Sequence, residues 1–342
     1  MTSPVSQQFA RLAAKAEAAL GQRAAGDRIR IQVGSATCEQ AAGAGEVLDE
    51  FRKHLSASGR TDILLHQTGC TGRCSREPIV GVMIPGQMPV KYERVDRQAV
   101  HEIFTRHILA GAPVLERVLD GPVQQIAERE LLLCGSEFFE LYGDVAFFNR
   151  QSRIALRHNG VLDPESIEEY FHYRGFQALA KVLEKGDPKW VIDEIGRSKL
   201  RGRGGGGFPT GEKWAMAAAA PEKTRYLICN ADEGDPGAFM DRSMLESDPL
   251  NVVEGMIIGG YAIAAHRGFF YVRAEYPMAI RRIQHAIDTC RQWGLLGRDI
   301  LGSGFDFDLE IRLGAGAFVC GEETALIHSI EGQRGQPRIR PP

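Results

Sequence analysis

The chain has no apolar run long enough to span a bilayer. Its most apolar segment, Met256 to Ala265, is bounded by Glu254 and His266 and is about half the ~20 residues a spanning helix needs. A secretory start is also missing, since Met1-Thr2-Ser3-Pro4 has neither the basic residues nor the apolar stretch of a signal peptide. Charge imbalance is small: 41 Lys and Arg against 44 Asp and Glu, a formal net charge of -3. That leaves no basic excess for a nucleic-acid face. Internal repeats and low-complexity segments are absent. Cysteine is sparse, with seven residues; without a secretory signal these predict reduced thiols, as metal ligands or core residues rather than disulfides. The expectation is a cytoplasmic chain with no membrane span and no nucleic-acid partner.

What is present is ordinary globular composition, 44% hydrophobic and 25% charged, over a length that suits two domains. Residues 5–25 read as an Ala-rich helix. Arg28 to Val33 alternates polar and apolar, the period of a half-buried strand. Val47, Leu48, Phe51 and Leu55 recur at helical spacing, and Ile63-Leu64-Leu65 reads as a second strand. Two more follow at Ile79 to Ile84 and Val90 to Val95, then a helix carrying Val100, Ile103, Phe104 and Ile108. Strand–helix–strand–strand–strand–helix is the order of a thioredoxin-like domain, placed at 27–112 after a helical tail at 1–26. Residues 113–160 read as a connecting segment. From 161 to 342 strands and helices alternate, with strands near 225–229, 269–273 and 308–313 and helices near 250–265, 277–293 and 322–330. The fold class is therefore α/β: a thioredoxin-like domain, then a larger α/β domain with a parallel or mixed sheet.

Glycine is the local outlier. From Gly202 to Trp214, six of thirteen residues are glycine, so the backbone can take positive φ and approach a flat or anionic ligand. Gly202, Gly204 and Gly207 satisfy a G-x-G-x-x-G spacing, but helix rather than strand precedes them, which argues against a dinucleotide fingerprint. No Gly-Lys-Ser/Thr follows, which excludes a Walker A loop. A flexible linker is the bland alternative, and Phe208, Pro209 and Trp214 within the run weigh against it. A second segment, Asn230-Ala231-Asp232-Glu233-Gly234-Asp235, closes a strand with an amide and three acids; ligand loop and solvated acidic turn both remain open. A third, Gly314-Ala315-Gly316-Ala317-Phe318-Val319-Cys320-Gly321-Glu322-Glu323-Thr324-Ala325, leads through glycines to a helix start with two carboxylates. One acid there would merely complement the helix dipole.

In this order the three segments resemble the FMN-binding, 51 kDa-type flavoprotein subunit of the complex I family, including the flavin subunits of multi-subunit hydrogenases and NAD-dependent formate dehydrogenases. The likeness runs on through Asp241-Arg242, Glu254-Gly255-Met256, Gly294-Leu295-Leu296-Gly297 and Gly304-Phe305-Asp306-Phe307. It implies hydride transfer between NAD(P)H and FMN, with onward single-electron transfer to iron–sulfur clusters. By resemblance Gly202, Gly204, Lys213, Asn230, Asp232, Gly321 and Glu322 contact FMN, and Gly206 and Glu233 are further cofactor-binding candidates. Phe208, Asp235 and Glu323 fall on the nicotinamide side, Phe208 able to stack on adenine, and Phe318 lines the same cavity. Lys213 and Glu323 are the catalytic candidates, Lys213 favouring reduced, anionic flavin. Asp235 stands where the complex I subunits usually have Glu. The rival reading is a non-catalytic scaffold or electron-wire subunit with a vestigial flavin site.

Cys38 follows the first strand, and Cys70 and Cys74 follow the second. Two strand-end cysteine loops on one side of such a fold can converge on one metal centre, and the pattern resembles the thioredoxin-like [2Fe–2S] ferredoxin. That family spaces its ligands C-x4-C and C-x3-C, and Val33 occupies the first position here. A [2Fe–2S] cluster completed by another residue, a docking domain without a cluster, and zinc held by three Cys and His66 all stay open. The C-x3-C spacing argues against a thioredoxin-type oxidoreductase, which uses C-x-x-C. Cys134, Cys229, Cys290 and Cys320 read as buried small hydrophobes. The resemblance further implies an N-N-V-E-T loop and a [4Fe–4S] segment beyond residue 342. It also implies partner subunits: an iron–sulfur ferredoxin-like subunit and a hydrogenase or formate dehydrogenase catalytic subunit.

Overall fold

The computed structural model describes residues 3–23, 28–119 and 151–339. The chain divides into two compact units. One comprises Met1–Glu17, Tyr170–Leu245 and Pro249–Pro342; the other comprises Ala18–Glu169 and Glu246–Asp248.

The thiol-bearing unit is built on a four-stranded sheet. Strand β1 (Ile29–Gly34) is followed by the short helix α2 (Thr37–Ala41) and by α3 (Ala44–Ser58); the long helix α1 (Pro4–Arg23) precedes them. Then come β2 (Ile63–Thr68), β3 (Val80–Met83), β4 (Val90–Tyr92) and α4 (Arg97–Glu102), which runs on as a π-helix over Ile103–Leu109. The strand order is β2-β1-β3-β4. β1 pairs parallel with β2, and β3 runs antiparallel to both β1 and β4. This is the thioredoxin-like topology. The parallel register sets Val33 opposite Gln67 and Gly34 opposite Thr68, so the two strands end side by side and their loops start together. Alternation in β1 sends Ile31 and Val33 into a core with Val47, Phe51, Val80, Val82 and Tyr92. Asp96 caps α4 by accepting from Ala99 N at 2.8 Å.

The flavin-type unit contains α5 (Ile167–His172), α6 (Gln177–Lys185), α7 (Pro188–Ser198) and α8 (Thr210–Ala219). They are followed by β5 (Tyr226–Ala231), α9 (Met240–Ser247), α10 (Pro249–Ala262), β6 (Arg267–Arg273), α11 (Pro277–Gln292), β7 (Asp308–Gly314) and α12 (Glu323–Ile330). The sheet is parallel throughout, in the order β5-β6-β7. Its middle strand is the driest, with Phe270, Tyr271 and Val272 fully buried. Helix α1, read from sequence as a tail, lays Phe9 against Phe171 and Lys15 over the Trp293 ring. Glu254 on α10 is buried but satisfied. It accepts from Tyr170 Oη at 2.6 Å, Phe176 N at 2.8 Å and Leu179 N at 3.1 Å, which ties α5 and α6 to α10. α7 and α8 meet glycine to glycine: a Cβ at Gly211 would lie 2.7 Å from the backbone of Gly196. Among the described residues no helix is long and apolar enough to cross a membrane.

Candidate functional site

The three segments singled out in sequence converge within the flavin-type unit. In a parallel sheet all the carboxyl ends point the same way, and ligands bind there. β5 ends at Ala231 and β7 at Gly314, so the acidic loop and the third glycine loop emerge from one edge. Asn230 Nδ2 donates to Gly321 O at 2.8 Å, joining them directly. A Cβ on Gly321 would stand 3.5 Å from Asp232 O, and one on Gly234 would strike the Phe318 ring at 2.6 Å. Gly234 therefore permits a close approach that a side chain would block, whereas at Gly321 the contact is an ordinary one. The first segment joins through its helix: Lys213, in the first turn of α8, donates to Glu323 Oε2 at 3.0 Å. Glu323 opens α12, so the third loop is the hub that the other two reach.

The glycine run itself is a pinched loop. Gly202 N donates to Phe208 O and Thr210 N to Leu200 O, both at 2.9 Å. Between these points Gly204 and Gly206 are exposed, and Gly205 and Gly207 have φ of 96° and 62°, values that only glycine adopts without strain. Phe208 and Phe318 are exposed aromatics, and Asp235 is exposed at the tip of the acidic loop. The site is thus an open face with amides, two aromatic surfaces and a cation.

Its acids fall into two kinds. Glu322 caps α12, accepting from Thr324 N and Ala325 N at 3.0 Å each. Glu233 does the same for α9, accepting from Asp241 N at 3.0 Å, Arg242 N at 3.2 Å and Tyr276 Oη at 3.2 Å, with Met240 N also donating. These two carboxylates are committed to helix starts. Asp232 differs. It is buried, and among the described residues neither carboxylate oxygen has a hydrogen-bond partner. Burial pushes its carboxyl up from the usual range, with the Arg273 guanidinium opposing. A buried acceptor left without donors costs about 1–3 kcal/mol, so Asp232 is an acceptor awaiting a donor. Sequence reading missed Arg273 and Tyr276. Arg273 Nη1 donates to Glu233 O at 2.6 Å, fixing the acidic loop from the end of β6; a cation at a strand's carboxyl end was the available signal.

The isoalloxazine, ribityl chain and phosphate of FMN fit this inventory: hydroxyl and ring N–H donors for Asp232, exposed amides and Lys213 for anionic groups.

The thiol-bearing unit holds a second, separate constellation. Ser35 N and Ser35 Oγ both donate to Thr68 O at 3.0 Å, pinning the starts of the two cysteine loops together. The ligand atoms of Cys38, Cys74 and Glu77 lie within 4.8 Å of one another. Cys70 is buried behind them, with its Sγ accepting from Gly72 N at 3.2 Å. Burial pushes the Cys70 thiol up to about 12 and the Cys74 thiol up to about 11, Glu77 adding to the latter. His66 is directed elsewhere, its Nδ1 3.1 Å from Glu169 Oε1. A four-thiolate [2Fe–2S] centre does not fit these residues: Val33, at the first position of the ligand pattern, is fully buried in the apolar core and has no donor atom. The described cysteines form no disulfide; Cys290 and Cys320 are buried and Cys229 half-buried, as small core residues. Cys134 lies outside the described residues.

The NADP-reducing hydrogenase subunit HndC of Solidesulfovibrio fructosivorans is 60% identical over 193 residues, 56% of this chain and 39% of its own. An NADH-quinone oxidoreductase subunit of Aquifex aeolicus is 51% identical over 177 residues, 52% of this chain and 41% of its own. The chain thus spans about two fifths of the length of these curated relatives. A solved NAD+-reducing [NiFe]-hydrogenase, in the H2-reduced state, aligns with 92% of this chain and 48% of its own at TM-score 0.46 and 28% identity. Residues 195–342, which contain all three converging loops, match the Nuo51 FMN-binding domain. In this part the chain is similar to the FMN-binding domain of the 51 kDa-type flavoprotein subunits.

Proposed function

We propose that the flavin-type unit binds FMN on the face formed by the three loops and passes hydride between NAD(P)H and that flavin. The orphaned Asp232 carboxylate carries the reading: a buried acceptor at the mouth of a parallel sheet, beside Gly321 and Asn230, suits a ligand rich in hydroxyl and N–H donors. FMN when bound supplies an acceptor for a hydride that can release its electrons singly. The protein contributes orientation and charge. Gly204 and Gly206 offer exposed backbone amides, Gly202 pinches the loop beneath them through its bond to Phe208 O, Asn230 and Gly321 close the floor, and Asp232 holds a donor group of the cofactor. Lys213 and Glu323 form an ion pair at the rim, where the ammonium compensates negative charge that develops on reduction. Phe208, Phe318 and Asp235 are exposed to meet the nicotinamide nucleotide. Glu233 and Glu322 act at one remove, by holding the helices that position the loops.

In this reading the chain serves as the flavin subunit of a larger cytoplasmic redox assembly whose iron–sulfur centres accept single electrons, with a hydrogenase or formate dehydrogenase catalytic subunit as the partner. The names of the relatives support a redox complex of this class. The test uses the purified chain incubated with FMN. Retained yellow flavin that bleaches anaerobically with NADH or NADPH is expected, and Asp232→Ala should weaken FMN binding at least tenfold, about 1.4 kcal/mol. A folded chain that takes up no flavin would sink the proposal and favour the scaffold reading.

A further inference from the structure

We propose that the thiol-bearing unit holds a single divalent ion of the zinc class through Cys38, Cys74 and Glu77, with the fourth position open to solvent. The geometry points to one ion rather than a two-iron cluster. A tetrahedral ion bound at about 2.3 Å to thiolate and about 2 Å to carboxylate keeps its ligand atoms roughly 4 Å apart. The three donors here, all within 4.8 Å of one another, match that spacing before any ion enters. A [2Fe–2S] cluster takes four terminal ligands distributed over two irons, and Val33 removes one of the four. Among the described residues the remaining thiol nearby, Cys70, is buried with its sulfur on the Gly72 amide.

The local backbone explains why Glu77 joins the thiols. Cys74–Arg76 is a 3-10 turn ending at Glu77. In a 3-10 turn residues three apart eclipse one another, so Cys74 and Glu77 project from the same side. Cys38 arrives from α2, after the strand that pairs in parallel with the one preceding Cys74. The signal in the sequence is therefore C-x2-E rather than C-x3-C, with the partner cysteine on the neighbouring strand's loop. Two soft thiolates select a zinc-class ion over magnesium or calcium. Graded exposure, with Cys74 exposed, Cys38 half-buried and Glu77 buried, leaves the fourth position facing water beside Cys74. The inference is independent of the flavin site.

The experiment loads the whole chain with Zn2+ and measures stoichiometry and affinity by competition with a chromophoric chelator, using Co2+ as a spectroscopic probe. One equivalent is expected. Cys38→Ser and Cys74→Ser should each weaken Zn2+ binding about a hundredfold and halve the thiolate-to-cobalt charge-transfer band. Glu77→Gln should weaken binding at least about tenfold, the low end of what even outer-shell partners are worth, while leaving that band's intensity intact. A fold defect would lower all these signals together, so the split separates ligand loss from unfolding. Cys70→Ser should stay within about threefold of the parent. The proposal is overturned if Cys70→Ser matches Cys74→Ser while Glu77→Gln has no effect. Binding of no Zn2+ overturns it too, as does iron and sulfide reconstitution giving two irons per chain.

Discussion

In the thiol-bearing unit the reactive groups stand on the loops after β1 and β2; in the flavin-type unit they stand on the loops after β5 and β7 and on the glycine run and first turn of α8. Both use parallel strands whose carboxyl ends release two loops at the same edge of a sheet, from adjacent strands in the first unit and from the two strands flanking β6 in the second. They differ in what those loops carry. The first presents thiols and one carboxylate within 4.8 Å, a compact, soft donor set that a single ion satisfies. The second presents glycine amides, a buried acceptor without donors among the described residues and a cation paired at its rim, a spread-out set suited to an extended polar ligand. The topology decides where a site can form, while spacing and chemistry of the donors decide what it holds.

The strongest way to break this comparison is to disturb the approach of one loop while leaving the other unit alone. Gly211→Val places a side chain where α7 and α8 meet, with its Cβ only 2.7 Å from the Gly196 backbone. Backbone cannot yield there as a flexible side chain would, so a loss of about 3 kcal/mol is expected from overpacking. Because α8 carries Lys213, FMN retention should fall with it, read by flavin content and denaturant unfolding. Zn2+ stoichiometry in the other unit should be unchanged. A Gly211→Val chain of parental stability would show that α7 and α8 do not fix the glycine loop.

The second test sharpens the comparison from the other side. His107 is buried beside Tyr92, with Tyr92 Oη 2.7 Å from its Nδ1, and burial holds its pKa down to about 4 from 6.5. The unfolded chain therefore binds the proton first. The stability contributed by neutral His107 is complete above pH 6.5 and is lost as pH falls through the folded value, by at most about 3 kcal/mol. Denaturant midpoints between pH 7 and 4, followed by a probe in the thioredoxin-like unit, should trace this loss. His107→Phe should flatten it. An equal slope in the variant would assign the acid sensitivity to other groups.

Much of both units was legible in the sequence, because strand alternation and helical spacing report burial directly. β1, β6 and α11 fall within two residues of where periodicity placed them. α9 was not anticipated: its start is created by the Glu233 side chain seven residues upstream of Met240, a contact that no local pattern announces. The same holds for the site. Asn230, Asp232, Lys213 and Gly321 were named from motif and resemblance, and their convergence is now visible. Glu77 was passed over, since a carboxylate after a cysteine has no distinctive pattern until a 3-10 turn aligns the two. His66 was considered on nearness in sequence, yet its ring meets Glu169, 103 residues away. Sequence proximity is a weak guide to which side chains meet around an ion.

The smallest expected effect separates charge from structure at the flavin rim. Lys213 and Glu323 are 61% and 45% exposed in their side chains, so water screens the pair and Lys213→Met should change unfolding free energy by less than about 0.5 kcal/mol. If the ammonium stands near the ring, its loss removes compensation for charge gained on reduction, and the FMN midpoint potential should move negative by roughly 20–30 mV, equivalent to about 1 kcal/mol for a two-electron couple. Lys213→Arg should restore most of the shift, because the charge returns even where hydrogen-bond geometry differs. A potential unmoved in Lys213→Met, with FMN still bound, would confine Lys213 to holding α8 against α12. Electrostatic tuning would then rest on the backbone amides of the glycine run, which no side-chain substitution can remove.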